Sequence, residues 1–171
     1  MKIEEYLSTL PQSILSGEEI QIPPDTLREI FRFVNLEEND VFYHLGCGDG
    51  TSLLIAREEF NVKNAIGIDN SEKMINLTRK MITENNLSNV KVIEHDVIES
   101  NIEDADVILC WFMDGEILEK LMSKFKKLRD GVRIVTIWAP LPGCIPEKVN
   151  FPYILNKVPL NETDDLKKQL L

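Results

Sequence analysis

Three short stretches of the chain carry residue types whose order suits the binding of a nucleoside. The first is Leu45-Gly46-Cys47-Gly48-Asp49-Gly50. Glycines at 46, 48 and 50 let the backbone turn sharply and pass close to a ligand. A helix opening near Gly50 offers free backbone N–H groups to an anionic group. The second stretch is Asp69-Asn70, which closes the apolar run Ala65–Ile68. A carboxylate at a strand end can accept hydrogen bonds from both hydroxyls of a ribose. The third is Glu94-His95-Asp96-Val97, where Asp96 can accept from an adenine amino group and Val97 can pack on the ring. Each stretch alone has a plainer reading: a permissive turn, a solvated strand end, a cap on the following turn. Taken in order, they place a glycine turn and a ribose-binding carboxylate on adjacent strand ends, with an adenine-facing pair beyond.

The spacing narrows the ligand. A dinucleotide fingerprint is Gly-x-Gly-x-x-Gly. Its third glycine would fall at position 51, which is Thr51, and the observed pattern is Gly-x-Gly-x-Gly. Together with Asp96 and Val97 this favours S-adenosylmethionine (SAM) over NAD.

The surrounding pattern supplies the elements that must hold these residues. Pro23-Pro24-Asp25 is a helix start, followed by Leu27, Ile30, Phe31 and Val34 at helical spacing. Apolar runs Val41–Leu45, Ala65–Ile68, Val90–Ile93, Asp106–Trp111 and Val132–Trp138 read as strands. Between them lie Thr51–Phe60, a segment N-capped by Ser71, and Glu116–Leu128, which read as helices. Strands alternating with helices, and nearly continuous in apolar character, imply an α/β fold. It is a doubly wound, mostly parallel sheet with helices on both faces. Residues 139–150, with Pro140, Pro142, Gly143 and Pro146, read as a loop, and Tyr153–Val158 as one further strand. Residues 1–22 read as an N-terminal helix and loop extension and 161–171 as a polar tail, on a single domain spanning 1–171.

Composition bounds the function. The chain has 171 residues, 43% hydrophobic, with a formal net charge of −10. An acidic body repels phosphate backbones, so nucleic acid is disfavoured as a partner, while a basic protein is compatible. The helix bearing Lys120, Lys124, Lys126, Lys127 and Arg129 reads as a solvated face. Three cysteines without metal-site spacing fit free thiols in a reducing, cytoplasmic setting. With two histidines, no metal site is expected. The start lacks a signal-peptide pattern, and no apolar stretch approaches the roughly 20 residues needed to span a bilayer.

Phe42–Gly50, Gly67–Asn70 and His95–Asp96 resemble the class I SAM-dependent methyltransferases, from about Pro23 to Pro146. Ala105–Pro146, with Asp106-Val107-Ile108, Leu118 to Leu128, Gly131–Ile137 and Pro140-Leu141-Pro142, is similar to a narrower group. That group is the small archaeal protein-lysine methyltransferases and their mitochondrial relatives, and the Pro23-Pro24-Asp25 helix start fits it too. The resemblance implies a Rossmann-like methyltransferase fold, SAM as cofactor, and methyl transfer to lysine side chains of proteins. In that family the equivalents of the glycine turn and Asp69 bind SAM; with the reading of the residues above, the expected SAM contacts are His44, Gly46, Cys47, Gly48, Asp69, Asn70, Asp96 and Val97. Trp111, Phe112 and Met113, at the end of the fourth strand, read either as core packing or, by that placement, as a wall of the acceptor pocket; Asp114 could orient an amine or take a proton, but Asp-Gly-Glu favours a cap on the next helix. Asn-Pro-Pro-Tyr, the mark of many methyltransferases acting on nucleobase and glutamine amino groups, is absent. Three departures stand out. His44 replaces the family's usual Asp, which commonly holds the amino group of SAM. Pro23 stands where Thr is usual, and the closing hairpin shows only one clear strand. His44 leaves two readings open, a ligand contact or a histidine satisfied within the strand end. It also motivates an alternative function, a SAM-binding relative with weak or no catalysis; a small-molecule or RNA methyltransferase is another.

Overall fold

A computed structural model of the chain describes residues 21–112 and 114–163. The expected extension up to residue 20, most of the polar tail, and Met113 lie outside the described residues. The first helix, α1 (Pro24–Phe33), has Pro23 at its N-cap and Pro24 at the first helical position. The fixed φ of proline suits that position and its missing N–H would be unpaired there anyway. Leu27, Ile30, Phe31 and Val34 are buried as their spacing requires. Phe31 meets Phe42 and Phe60 edge to face, at ring separations of 5.1 and 5.3 Å.

Five strands and three helices follow among the described residues, with no helix between the third and fourth strands: β1 (Val41–Leu45), α2 (Thr51–Glu58), β2 (Asn64–Asp69), α3 (Glu72–Glu84), β3 (Val90–Glu94), β4 (Val107–Cys110), α4 (Gly115–Phe125) and β5 (Arg133–Ile137). Every residue of β1 and β4 is buried, which is why both read as unbroken apolar runs. Ser71 caps α3 by accepting from Met74 N, and Asp114 caps α4 by accepting from Glu116 N at 2.9 Å. Both caps agree with the sequence.

The chain closes with β6 (Lys148–Asn150) and β7 (Tyr153–Lys157). The single sheet runs β3-β2-β1-β4-β5-β7-β6. Strands β1 to β5 are parallel, whereas β7 runs antiparallel to β5 and to β6. The closing hairpin is therefore complete, which corrects the expectation of one strand and of a loop through residue 150. The missed strand is three exposed residues at the sheet edge, Lys-Val-Asn, with no buried face to give a period-two signal.

Two cores flank the sheet. One joins α1 and α2 to Phe42, Val107, Leu109, Val135 and Leu155; the other joins α4 to Tyr43, Leu45, Ile66, Ile68, Ile108 and Ile134. Strand order reverses about β1, so the crevice beyond the carboxyl ends of β1 to β4 is where a ligand fits. No helix among the described residues is long and apolar enough to cross a membrane.

Candidate functional site

The site is built from the loops that leave β1, β2, β3 and β4. After Leu45 the chain passes through Gly46 and Gly48 with φ of +79° and +56°, a region most side chains avoid. Gly46 N and Cys47 N both donate to Ile68 O, at 2.8 and 3.1 Å, which stitches the turn to the end of β2. Asp69 completes the junction. Its Oδ2 accepts from Gly48 N and its Oδ1 from Ser71 N, each at 2.9 Å. Two backbone donors thus hold the carboxylate in place, and each oxygen keeps capacity for another hydrogen bond. Thr78 Oγ1 donates to Gly48 O at 2.8 Å and fixes the turn from the other side.

Beyond β3, Asp96 Oδ1 accepts from Ile98 N at 2.8 Å. The turn-capping reading of Asp96 therefore holds, and the residue still borders the crevice. Beyond β4, Trp111 packs edge to face with Trp138 at 6.1 Å, and its Nε1 is buried with no hydrogen-bond partner among the described residues. The Phe112 ring lies against the glycine turn: a Cβ on Gly46 would sit 3.3 Å from Phe112 Cε1.

These loops enclose a cavity of about 560 Å³. It brings together Gly46, Gly48, Asp69, Asn70, Asp96 and Val97 with Trp111 and Phe112. Gln21, Ser71, His95, Ile98 and Ile117 complete its lining and were not foreseen as site residues. Ser71 and Ile117 carried signals for a cap and a helix face, not for a ligand, and Gln21 carried none. A separate cleft of about 550 Å³ beside β3, lined by Tyr43, Lys91 and Asp104 among others, holds none of the expected site residues; His95 borders both. Among the described residues no group of three or more His, Cys, Asp or Glu could hold a metal ion.

Two expected contacts, His44 and Cys47, are not among the lining residues. His44 is buried in β1, and its Nδ1 lies 2.6 Å from Ser52 Oγ on α2. Burial pushes its pKa down to about 3, so the ring is neutral. Cys47 turns inward: a Cβ on Gly67 of β2 would fall 2.5 Å from its Sγ. Burial, with the nearby Asp69 charge, raises the thiol well above its ordinary range, so it stays protonated.

A sequence model of the ANTKMT methyltransferase domain matches residues 44–148, more than half of the chain. The chain belongs to the ANTKMT methyltransferase domain family. It is a SAM-dependent methyltransferase, and its cavity lies at the strand ends that the family model spans. A protein-lysine N-methyltransferase of Saccharolobus islandicus (strain REY15A) is 26% identical over 132 residues, covering 76% of this chain and 81% of that protein. A carboxy-S-adenosyl-L-methionine synthase of Sulfurimonas denitrificans is 31% identical over 116 residues, 63% of this chain but 48% of that protein. Among solved structures, an RNA methyltransferase from Salinibacter ruber in complex with S-adenosyl-L-homocysteine agrees in fold. Its TM-score is 0.75 at 21% identity, over 81% of this chain and 94% of that one.

Proposed function

We propose that this methyltransferase binds SAM through Gly46, Gly48, Asp69, Asn70, Asp96 and Val97, and that its acceptor is the side-chain amine of a protein lysine. The observation that carries the first part is one cavity, of a size ordinary for a cofactor, bordered by all six residues. The residues present fit the group. Asp69 is held by two N–H donors with lone pairs to spare for ribose hydroxyls. Asp96 offers an acceptor and Val97, Ile98 and Ile117 offer apolar contact for a purine. The two carboxylates also suit a ligand that carries a sulfonium and an ammonium.

Bound SAM supplies an electrophilic methyl carbon on a good leaving group. What remains for the chain is to align the acceptor, exclude water and keep the amine neutral. Trp111 and Phe112 stand at the end of the cavity formed by β4 and α4, and their rings make it apolar there. An apolar wall disfavours the ammonium form of lysine and so favours the nucleophilic amine.

The Saccharolobus relative named for lysine methylation supports the acceptor, as does the acidic charge of the chain toward a basic protein. The free, buried thiols Cys47, Cys110 and Cys144 support a reducing cytoplasmic setting. The whole chain, 1–171, is read as one domain. The weak-catalysis alternative rests on His44: its neutral ring, bonded to Ser52 away from the cavity, does not repel the ammonium of SAM, but it also does not supply the carboxylate of the family's usual Asp.

Calorimetry with SAM tests the donor. Wild type is expected to bind, and Asp69→Asn, which lacks the charge, to bind at least about tenfold more weakly, a difference of about 1.4 kcal/mol. Absence of wild-type binding at millimolar SAM would reject the donor site. Radiolabelled methyl transfer into separated protein, RNA and metabolite pools tests the acceptor. Label is expected on lysine in protein; label confined to RNA or to metabolites would reject the lysine reading.

A further inference from the structure

Gln21 lies just before α1, and its side-chain amide rests on the glycine turn. Its Oε1 accepts from Asp49 N at 3.2 Å. A Cβ on Gly48 would fall 2.2 Å from Oε1 and 2.6 Å from Nε2, so the amide occupies the space that a side chain at 48 would need. Asp49 N–H is a donor, so the amide oxygen must face it and the nitrogen must face away. Nε2 carries two hydrogens. Among the described residues it reaches only the thioether of Met74, at 3.9 Å, and a thioether is a weak acceptor.

Gln21 and Asp69 border the same cavity and flank the same residue. Gly48 abuts the Gln21 amide, and its N–H donates to Asp69 at 2.9 Å. A ribose hydroxyl has one hydrogen to give and lone pairs to fill. An ionised carboxylate only accepts, so Asp69 leaves those lone pairs unmet. The amide nitrogen of Gln21, which abuts Gly48 and borders the same cavity, is the complementary donor. We propose that Gln21 is a second ribose-binding residue, donating from Nε2 to a hydroxyl oxygen while Asp69 accepts the hydroxyl hydrogen. The next residue, Ile22, is buried in the core with Leu27 and Ile30, so the backbone under Gln21 is anchored before the ligand arrives. Little ordering is then left for binding to impose.

This assignment rests on the cavity being the SAM site, and the experiment separates the two. Wild type, Gln21→Ala and Gln21→Glu are titrated calorimetrically with S-adenosylhomocysteine and with its 2′-deoxy and 3′-deoxy analogues. Melting without ligand checks that each variant is folded. Wild type is expected to bind the parent compound and to lose affinity for at least one deoxy analogue. Gln21→Ala is expected to weaken the parent roughly threefold to tenfold, the worth of one hydrogen bond, and to discriminate less against that analogue. Gln21→Glu keeps the size but adds a negative charge to the cavity that Asp69 also lines, and is expected to be weaker still. A folded Gln21→Ala with unchanged affinity and discrimination would overturn the assignment. So would an equal loss for all three ligands, the mark of a merely structural role. Failure of wild type to bind the parent compound at all would instead remove the SAM site, and the assignment with it.

Discussion

His44 is 5% exposed in β1, with Ser52 Oγ as its partner at 2.6 Å. Its pKa is pushed down to about 3 because burial penalises the imidazolium. In the unfolded chain the ring titrates near its ordinary 6.5. Between those two values the unfolded state binds a proton that the folded state refuses, so stability rises with pH. The contribution is complete above about pH 6.5 and is lost as pH falls toward about 3. Urea unfolding of wild type and His44→Asn at several pH values checks this. Wild-type stability is expected to fall more steeply between about pH 6 and 4, by an extra ~1.4 kcal/mol per pH unit at most. Equal slopes would mean that the ring is solvated or charged in the folded protein. The family resemblance marked position 44, just ahead of the glycine turn, as a departure, but it could not say which way the ring points. That depends on Ser52, which follows the turn on another element, and the contact exists only once α2 has packed on β1. Gln21 was hidden for the same reason in stronger form. Nothing local distinguishes it, and its role appears only when the chain before α1 crosses the turn after β1.

At the scale of elements, the carboxyl ends of the strands carry the site and the opposite ends carry the fastening. Arg133, at the start of β5, pairs with Asp40, just before β1, at 2.5 Å. Its other guanidinium nitrogen donates to Val34 O at 3.1 Å and to Asn35 O, carbonyls at the end of α1. Asp40 is 7% exposed and also accepts from Glu37 N at 2.7 Å. One arginine thus ties the helix end, the following turn and two strands together, and its charge suits the negative end of the helix. Arg133→Met leaves Asp40 buried without its counter-ion and is expected to cost about 3–5 kcal/mol, read as a fall in the urea midpoint. Arg133→Met combined with Asp40→Asn is expected to recover part of that loss. SAM affinity of the folded fraction is expected to be unchanged, because the pair lies at the end of the sheet away from the cavity. Loss of affinity in step with stability would show that the two ends are not independent. These elements differed in how far the sequence revealed them. β1, β4 and β5 bury nearly every residue, so their apolar runs were plain. Ser71 and Asp114 announced their helices because a capping side chain acts within a few residues of itself. β6 has neither a buried face nor a local partner, and its strand character comes wholly from pairing with β7.

For the molecule as a whole the governing quantity is charge. A net charge of −10 surrounds a cavity whose own ionisable lining includes Asp69 and Asp96. Such a field attracts a basic protein before any contact forms and repels an RNA backbone, and salt weakens both effects. SAM behaves differently. It is small, carries both signs of charge, and in the proposed site would be held by short-range hydrogen bonds inside the crevice. Ionic strength is therefore expected to act on the two substrates unequally. Raising salt from about 20 mM to about 300 mM shortens the Debye length from roughly 20 Å to less than 8 Å. The KM for a lysine-rich protein acceptor is expected to rise about tenfold over that range, whereas the dissociation constant for SAM is expected to change by less than about twofold. Initial rates of methyl transfer at saturating SAM, paired with calorimetry at each salt concentration, measure the two separately. A protein KM indifferent to salt would mean that the acceptor is chosen by short-range contacts at Trp111 and Phe112 alone. The acidic body would then have no part in bringing the acceptor to the site.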